Sequence, residues 1–183
     1  MKKLSMEELQ RKSVDEFKEA KKSKLRLVLD DIRSMSNIGS VFRTSDAFLV
    51  EKIHLCGITA QPPHREIEKT AIGATESVAW SYHENVLELI KELKSEGFII
   101  LSLEQADKSV MLNEFLPKAE EKYAVVLGNE VFGVNEEIIA LSDQVIEIPQ
   151  YGTKHSLNVS VSAGILIWDF YSKINGKVLE SPL

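Results

Sequence analysis

The order of short apolar runs and helical patterns along the chain most constrains its fold. Six runs have the length and composition of buried β-strands, and they lie at Leu25–Leu29, Lys52–Cys56, Val78–Tyr82, Phe98–Leu103, Ala124–Leu127 and Val145–Ile148. Helical patterns separate several of them, at Ser40–Leu49, Asn85–Ser95, Asn135–Leu141 and Ser156–Ile174. Because parallel strands need crossover connections, this alternation predicts an α/β fold with a mostly parallel sheet flanked by helices on both faces.

Length and composition predict a single domain with a well-buried core. The chain has 183 residues, of which 44% are hydrophobic. The lone Cys56 has no partner in the chain, so an internal disulfide is excluded and a reducing compartment is expected. The first ten residues contain no uninterrupted apolar block, which predicts neither a signal peptide nor a membrane span. We therefore expect a cytoplasmic protein.

Charge is distributed unevenly along the chain. The formal net charge is −6, yet residues 1–26 contain nine Lys or Arg against five Asp or Glu. A basic helical extension over residues 1–24 ahead of an acidic body would suit an RNA partner held by phosphate contacts at one edge. The alternative is an amphipathic helix over Ser5–Lys22, begun by the capping-box spacing of Ser5 and Glu8, whose lysines face water. The residues alone leave both interpretations open.

Polar motifs follow three of the predicted strands. Asn37–Ala47 comes after the first strand, Leu127–Val134 begins at the end of the fifth, and Ile148–Ile165 begins at the end of the sixth. Ligands collect at the carboxyl ends of strands in open α/β sheets, so these motifs predict one composite site. For the last motif the alternative is an ordinary turn between a strand and a helix, with Ser156 as the helix N-cap.

With these motifs, the chain resembles the SpoU (TrmH-like) RNA 2'-O-ribose methyltransferases of the SPOUT superfamily. The family motifs occur in order: an Asn six residues before an Arg, a Gly-Asn-Glu after a strand, and a final Ser-Leu-Asn-Val-Ser loop. The resemblance implies a SPOUT methyltransferase domain over residues 25–177 with a C-terminal deep trefoil knot, and it leaves residues 178–183 as a short tail. It also implies S-adenosyl-L-methionine as cofactor, tRNA or rRNA as substrate, and a homodimer.

The resemblance assigns catalytic roles to Arg43, Asn37, Glu130, Ser156 and Asn158. It implies that Arg43 contacts the phosphate of the target nucleotide and assists deprotonation of the 2'-hydroxyl. Because a guanidinium is a poor general base, we expect Arg43 to position the phosphate and to stabilise the developing alkoxide. Asn37 would cap the following helix, orient Arg43 or do both, and Glu130 would pair with Arg43 through both carboxylate oxygens. The alternative for Arg43 is a surface residue that pairs with Asp46.

The resemblance places the cofactor in a bent conformation at the ends of three strands. The implied cofactor-binding residues are Leu103, Leu127, Gly128, Ile148, Gln150 and Leu157. The chain lacks the G-x-G-x-x-G fingerprint, which argues against a Rossmann-type enzyme. No metal is expected, because the four histidines and the single cysteine lack metal-ligand spacing.

Basic residues near the N-terminus and in the irregular segment Gln61–Glu76 are the candidate RNA contacts. They are Lys21, Lys22, Lys24, His64, Arg65 and Lys69. By resemblance this segment is an RNA-facing loop, and its alternative is a structural connector with surface charges. The basic C-terminal extension of tRNA-specific relatives does not follow Lys177, so the choice of RNA stays open.

Two other functions remain compatible with the sequence. One is a non-catalytic RNA-binding module with the same fold, and the other is a base methyltransferase of another SPOUT branch. The simultaneous presence of Asn37, Arg43, Glu130, Ser156 and Asn158 favours an enzyme over the binding module. The final helix is apolar on more than one face, which predicts that a second subunit covers it.

Overall fold

The computed structural model describes residues 1–5, 8, 9 and 11–176. In this part of the chain the strands are β1 (Leu25–Asp30), β2 (Lys52–Cys56), β3 (Trp80–His83), β4 (Phe98–Leu103), β5 (Val110–Met111), β6 (Lys122–Leu127) and β7 (Gln144–Glu147). The helices are α1 (Val14–Glu19), α2 (Met35–Ala47), α3 (Arg65–Ala71), α4 (Ala74–Ser77), α5 (Val86–Ser95), α6 (Glu136–Leu141) and α7 (Val159–Asn175).

These strands form one parallel sheet in the order β3-β2-β1-β6-β4-β7-β5. The predicted α/β fold with a parallel sheet is confirmed. The chain places β2 and then β3 on one side of β1. It then crosses to the other side of β1 to form β4. The direction in which strands are added to the sheet therefore reverses beside β1 and β6. A crevice at the carboxyl ends of the strands near such a reversal is where ligands bind in open α/β sheets. The trefoil knot stays a prediction.

Helices cover both faces of the sheet, as the alternating pattern predicted. Leu27 and Leu29 of β1 belong to the apolar cluster that includes residues of α2, α3 and α7. Val28, between them, points to the opposite cluster with residues of α5 and α6. Cys56 is buried in that second cluster, and burial raises the pKa of its thiol to about 12. The thiol therefore acts as a small core group.

The N-terminal helix is shorter than predicted. The capping-box hydrogen bonds between Ser5 and Glu8 are present, but this first turn does not continue into α1. Instead, α1 begins after its own capping box, formed by Ser13 and Glu16. Residues 6, 7 and 10 of the predicted helix lie outside the described residues. A helix nucleates wherever a cap and a buried contact coincide, and Phe17 supplies the buried contact in α1.

The prediction of an irregular loop over Gln61–Glu76 is wrong, because this segment contains α3 and the start of α4. Its first helix packs against α2 at Gly39. A Cβ atom at that position would overlap Thr70 Oγ1 and the carbonyl oxygen of Ile67, so only glycine permits this approach. The helix α3 was not predicted, because it depends on packing against a neighbouring helix and the segment itself is rich in polar residues.

No described helix is both long enough and apolar enough to span a lipid bilayer.

Candidate active site

The amino end of α2 holds the first polar motif. Its N-cap is Ser34, whose hydroxyl accepts a hydrogen bond from the backbone N–H of Asn37. The helix begins five residues before the predicted start, at Met35, so Asn37 lies in its first turn. The expectation that Asn37 precedes and caps this helix is therefore wrong. Its amide side chain is instead free to join groups from other segments.

Glu130, in the loop after β6, accepts hydrogen bonds from the amino end of α2. One carboxylate oxygen, Oε2, accepts from the backbone N–H of Arg33 at 2.9 Å. The other, Oε1, accepts from the N–H of Ser34 at 3.0 Å and from Asn37 Nδ2 at 3.1 Å. An anion at a helix amino end is favoured both by the unsatisfied N–H groups and by the helix dipole.

These hydrogen bonds replace the pair that was expected between Glu130 and Arg43. Both carboxylate oxygens of Glu130 are used at the amino end of α2, and no ion pair joins them to Arg43 within the described residues. Burial raises the pKa of Glu130, but the N–H donors of Arg33 and Ser34 and the Asn37 amide outweigh it and leave the pKa below its usual value. Glu130 is therefore an ionised structural anchor.

The loop that carries Glu130 is tightly fixed. A Cβ at Gly128 would overlap the carbonyl group of Gly133, so the two ends of the loop meet backbone to backbone. The side chain of Asn129 donates to the carbonyl oxygen of Asp31 at 2.7 Å, which ties the loop to the end of β1. Glu104, just beyond β4, accepts from the N–H of Val134 at 2.9 Å. The carboxylate of Glu130 thus has a defined position.

Asn158 brings the third motif into the same cluster. Its Nδ2 donates to Asn37 Oδ1 at 3.1 Å, while its Oδ1 accepts from the N–H of Ser160 at 2.9 Å. Asn158 is therefore the N-cap of α7, and the alternative that gave this role to Ser156 is wrong. Ser156 lies two residues before the cap with an exposed side chain. The three motifs predicted to form one site meet through a continuous line from Glu130 through Asn37 to Asn158.

Arg43 lies on α2, two turns beyond the amino end, with its side chain exposed. Within the described residues it forms no salt bridge or side-chain hydrogen bond. The alternative pairing with Asp46 is not formed, because Asp46 accepts from the hydroxyl of Ser77. On the same helix Thr44 lies 3.9 Å from where a Cβ of Gly164 would be, so α2 and α7 are closely apposed. The guanidinium is available to an external anion.

The predicted cofactor residues lie at the carboxyl ends of β6, β4 and β7, which are adjacent in the sheet. Leu127 is buried, whereas Leu103, Gly128, Ile148 and Gln150 are half-buried and Leu157 is exposed. The loops after these strands are hydrogen-bonded to one another. Besides the Glu104 contact, Gln105 Nε2 donates to the carbonyl oxygen of His155 at 2.9 Å. The three loops therefore surround one region at this edge of the sheet.

The candidate RNA-binding residues do not form one cluster of free charges. Lys22 donates to backbone carbonyl oxygens that include those of Phe17 and Ala20, and Lys24 Nζ donates to the carbonyl oxygen of Glu120 at 2.7 Å. His64 is the N-cap of α3 and accepts from the N–H of Glu66. Lys21, Arg65 and Lys69 are exposed, and Lys69 forms a long ion pair of 3.9 Å with Glu66.

Several participating groups were missed by sequence reasoning. They include the backbone N–H groups of Arg33 and Ser34, the hydroxyl of Ser160 and the carboxylate of Glu104. Ser34 could have been found, because a Ser three residues before a polar helical position is a common N-cap spacing. Backbone N–H donors cannot be recognised from residue types, because every residue except proline has one.

Comparisons with known proteins identify the family of the chain. A sequence model described as the SpoU rRNA Methylase family matches residues 24–168. The chain is 32% identical over 143 residues to the 23S rRNA (guanosine-2'-O-)-methyltransferase RlmB of Neisseria meningitidis. The matched region covers 78% of this chain and 56% of that protein. The chain is 28% identical over 162 residues to the tRNA (guanosine(18)-2'-O)-methyltransferase of Thermus thermophilus, covering 88% of this chain and 81% of the relative.

A solved structure has the same fold. The A. aeolicus TrmH/SpoU tRNA modifying enzyme superimposes with a TM-score of 0.80 at 27% identity, covering 91% of this chain and 83% of that chain. The chain spans little more than half the length of the Neisseria relative, 56%. The regions compared include β1 to most of α7, and therefore all three polar motifs.

Proposed function

Because the chain belongs to the SpoU rRNA methylase family, we propose that it transfers a methyl group from S-adenosyl-L-methionine to a ribose 2'-hydroxyl of tRNA or rRNA. The observation that supports this most is the line of side-chain hydrogen bonds from Glu130 through Asn37 to Asn158. It joins three motifs that are distant in the sequence, and one of them lies on the helix that carries Arg43. A binding module without catalysis would not require this alignment of half-buried and exposed polar groups.

The proposed cofactor site is the region between the loops after β4, β6 and β7, which is the predicted trefoil knot. When bound, the cofactor supplies a methyl group on a positively charged sulfonium. The half-buried side chains of Leu103 and Ile148 and the 39% exposed side chain of Leu157 offer apolar surface to an adenine ring. Backbone groups of the connected loops would read the edge of that ring. The residues present therefore fit this cofactor.

Arg43 is the proposed catalytic residue. Its planar guanidinium can bind a phosphate through two parallel N–H donors, which fixes the nucleotide in position. The same positive charge would stabilise the 2'-oxygen as its proton leaves. Glu130 and Asn37 would act indirectly, by holding the amino end of α2 and with it the position of Arg43. Ser156, exposed in the loop before α7, remains available to hold substrate.

The test is transfer of tritium from labelled S-adenosyl-L-methionine to RNA. We expect Arg43→Ala to lower kcat by about 10²–10³-fold, the usual cost of losing one donor to a developing oxyanion. Arg43→Lys keeps the positive charge but loses the planar pair of N–H donors, and it should also be strongly impaired. Lys91→Ala, which removes one exposed charge from α5, is the control. Full activity of Arg43→Ala would refute the assigned role.

Two further measurements separate the alternative functions. Calorimetry that detects RNA binding but no cofactor binding would favour the non-catalytic module. Nuclease digestion and mass spectrometry of the methylated RNA would locate the methyl group on ribose or on a base. A methylated base would favour the other SPOUT branch.

We also propose that a second copy of the chain covers α7. Its buried face packs on the body through Ala163, Leu166, Ile167 and Phe170. On another face Val161, Ile165 and Trp168 follow one another at helical spacing and are 51%, 38% and 52% exposed. This apolar stripe begins next to Asn158, so a subunit seated on it would border the proposed site.

RNA contacts are proposed for Lys21, Arg65 and Lys69, which are exposed. Lys22, Lys24 and His64 would add charge or hydrogen bonds only after leaving their intramolecular partners. A cytoplasmic location is proposed because RNA substrates and the buried free thiol of Cys56 both suit a reducing compartment.

A further inference from the structure

A second cavity lies at the carboxyl ends of β1, β2 and β3, on the face covered by α5 and α6. Its volume is about 600 Å³, and its lining includes Asp30, Gly57, His83 and the first half of α5. Asn37, Arg43 and Asn158 are not part of its lining. The cavity is therefore distinct from the proposed methyl-transfer site, which lies around the amino ends of α2 and α7.

The charges around this cavity have one sign. Five carboxylates line it, from Asp30, Asp31, Glu84, Glu88 and Glu92, whereas no lysine or arginine does. None of the five forms an ion pair with another described residue. Such a lining repels phosphates and attracts cations, so RNA is excluded as its ligand.

Asp30 distinguishes this cavity from an ordinary acidic surface. The residue is only 7% exposed, and within the described residues its carboxylate accepts no hydrogen bond. Its lateral neighbour on β2 is Cys56, whose buried neutral thiol is at best a weak donor. Asp30 is one of the residues that line the cavity. A buried carboxylate without a partner is costly, and a cation in the cavity would supply that partner.

The size of the cavity and the few apolar residues in its mainly polar lining define the chemical class of the cation. About 600 Å³ is the volume of a small-molecule pocket, far more than a bare ion fills. The described residues include no group of three or more His, Cys, Asp or Glu arranged to hold a metal ion. Val86 and Leu87 are half-buried at the same cavity and offer contacts to methylene groups.

We propose that this cavity binds a linear polyamine, with one ammonium group on Asp30, others on the glutamates of α5, and the methylene segments along the half-buried Val86 and Leu87. Each ammonium group would form charge-assisted hydrogen bonds with a carboxylate. Because the ligand is a polycation that also associates with RNA phosphates, the site would let the protein respond to the polyamine that accompanies its substrate.

The test is calorimetric titration of the full chain with spermidine at pH 7.5, without RNA or S-adenosyl-L-methionine. We expect one site in the wild type and an affinity at least about tenfold lower in Asp30→Asn, the usual loss for a hydrogen bond to a charged group. Asp107→Asn removes an equal charge from an exposed loop and should bind as the wild type does. Glu92→Gln provides a second cavity variant if Asp30→Asn does not fold.

The pH dependence provides an independent readout. Burial and the nearby charge of Asp31 raise the pKa of Asp30 to about 6, and burial lowers the pKa of His83. Spermidine affinity should therefore fall as the pH is lowered through about 6. The remaining charged groups that face the ligand are Asp31, Glu84, Glu88 and Glu92.

Three results would overturn the proposal. The first is the absence of spermidine binding to the wild type. The second is an equal loss of affinity in Asp107→Asn and Asp30→Asn, which would mean unspecific attraction to an acidic protein. The third is full displacement of spermidine by equimolar magnesium, which would indicate a metal site. None of these outcomes depends on methyl transfer, so failure of this proposal and failure of the proposed function remain distinguishable.

Discussion

The side-chain amide of Asn37 donates a hydrogen bond of 3.1 Å to the carboxylate of Glu130, across 93 positions of the sequence. The same carboxylate also accepts from the first backbone N–H groups near the amino end of α2. Glu130 therefore fixes both the start of the helix and a side chain in its first turn. Since Arg43 is on the same helix, its position depends on a loop that follows a different strand.

We predict that Asn158→Ala separates a structural from a functional role when it is compared with Asn135→Ala. Both residues are N-caps, of α7 and α6 respectively. Each substitution should lower the free energy of unfolding by about 1 kcal/mol. Only Asn158→Ala also breaks the hydrogen bond to Asn37, so only that variant should lose methyl transfer. Urea denaturation and tritium transfer measure the two effects, and equal activities would contradict the prediction.

Glu130 should stabilise the protein only while it is ionised. Its pKa in the folded protein lies below the usual value of 4.5, because the hydrogen bonds it accepts outweigh the effect of burial. A depressed pKa gives stability that is present above pH 4.5 and is lost as the pH falls through the folded pKa.

Glu130→Gln is the variant that tests this dependence. It keeps one acceptor oxygen but cannot ionise, so its deficit against the wild type should be largest near pH 7 and should shrink below about pH 4. Denaturation curves between pH 3 and pH 7 measure that difference. A constant difference across the range would mean that the charge of Glu130 has no part in holding α2.

The sequence was sufficient to locate most strands, though not to order them in the sheet, because the central strands β1, β4 and β6 are buried on both faces. Runs such as Leu25–Leu29 and Phe98–Leu103 correspond closely to β1 and β4, and their alternation with helices predicted parallel pairing. It was also sufficient for grouping the three motifs, since parallel strands end at a common edge. Strand β5 was not predicted, because a two-residue strand has no periodicity to detect.

The partners within the site were not predictable in the same way. Glu130 and Arg43 have opposite charges, which suggested an ion pair, but the backbone N–H groups at the start of α2 compete for the same oxygens. Those donors are identical in every residue and become visible only when the helix start is known. The helix start in turn depended on Ser34, six residues ahead of Ser40, where the predicted helical pattern begins.

Ile165→Lys should convert the proposed dimer into a monomer. Ile165 lies in the middle of the exposed apolar stripe of α7, and a lysine there would place a charge in the centre of an apolar interface. Ile58→Lys is the matched control, because Ile58 is 66% exposed in the turn after β2 and belongs to no such stripe. Size-exclusion chromatography with light scattering measures the mass. A monomeric wild type at micromolar concentration would contradict the dimer.

Asp30→Asn should stabilise the protein at alkaline pH even as it weakens polyamine binding. Burial and the charge of Asp31 raise the pKa of Asp30 from 3.8 to about 6 in the folded state. A raised pKa gives stability that is fully present below pH 3.8 and is lost as the pH rises through 6. Ionised Asp30 thus destabilises the wild type at pH 8, whereas asparagine cannot ionise.

The expected size of this effect follows from the difference between the two pKa values. At about 1.4 kcal/mol per pKa unit, the stability advantage of Asp30→Asn should grow by about 2–3 kcal/mol between pH 4 and pH 8. Urea denaturation at both pH values measures it, with Asp107→Asn as the exposed control. Saturating spermidine should reduce the advantage at pH 8, because a bound ammonium group compensates the ionised carboxylate only in the wild type. An advantage that is independent of pH would mean that Asp30 already has a partner in the folded protein.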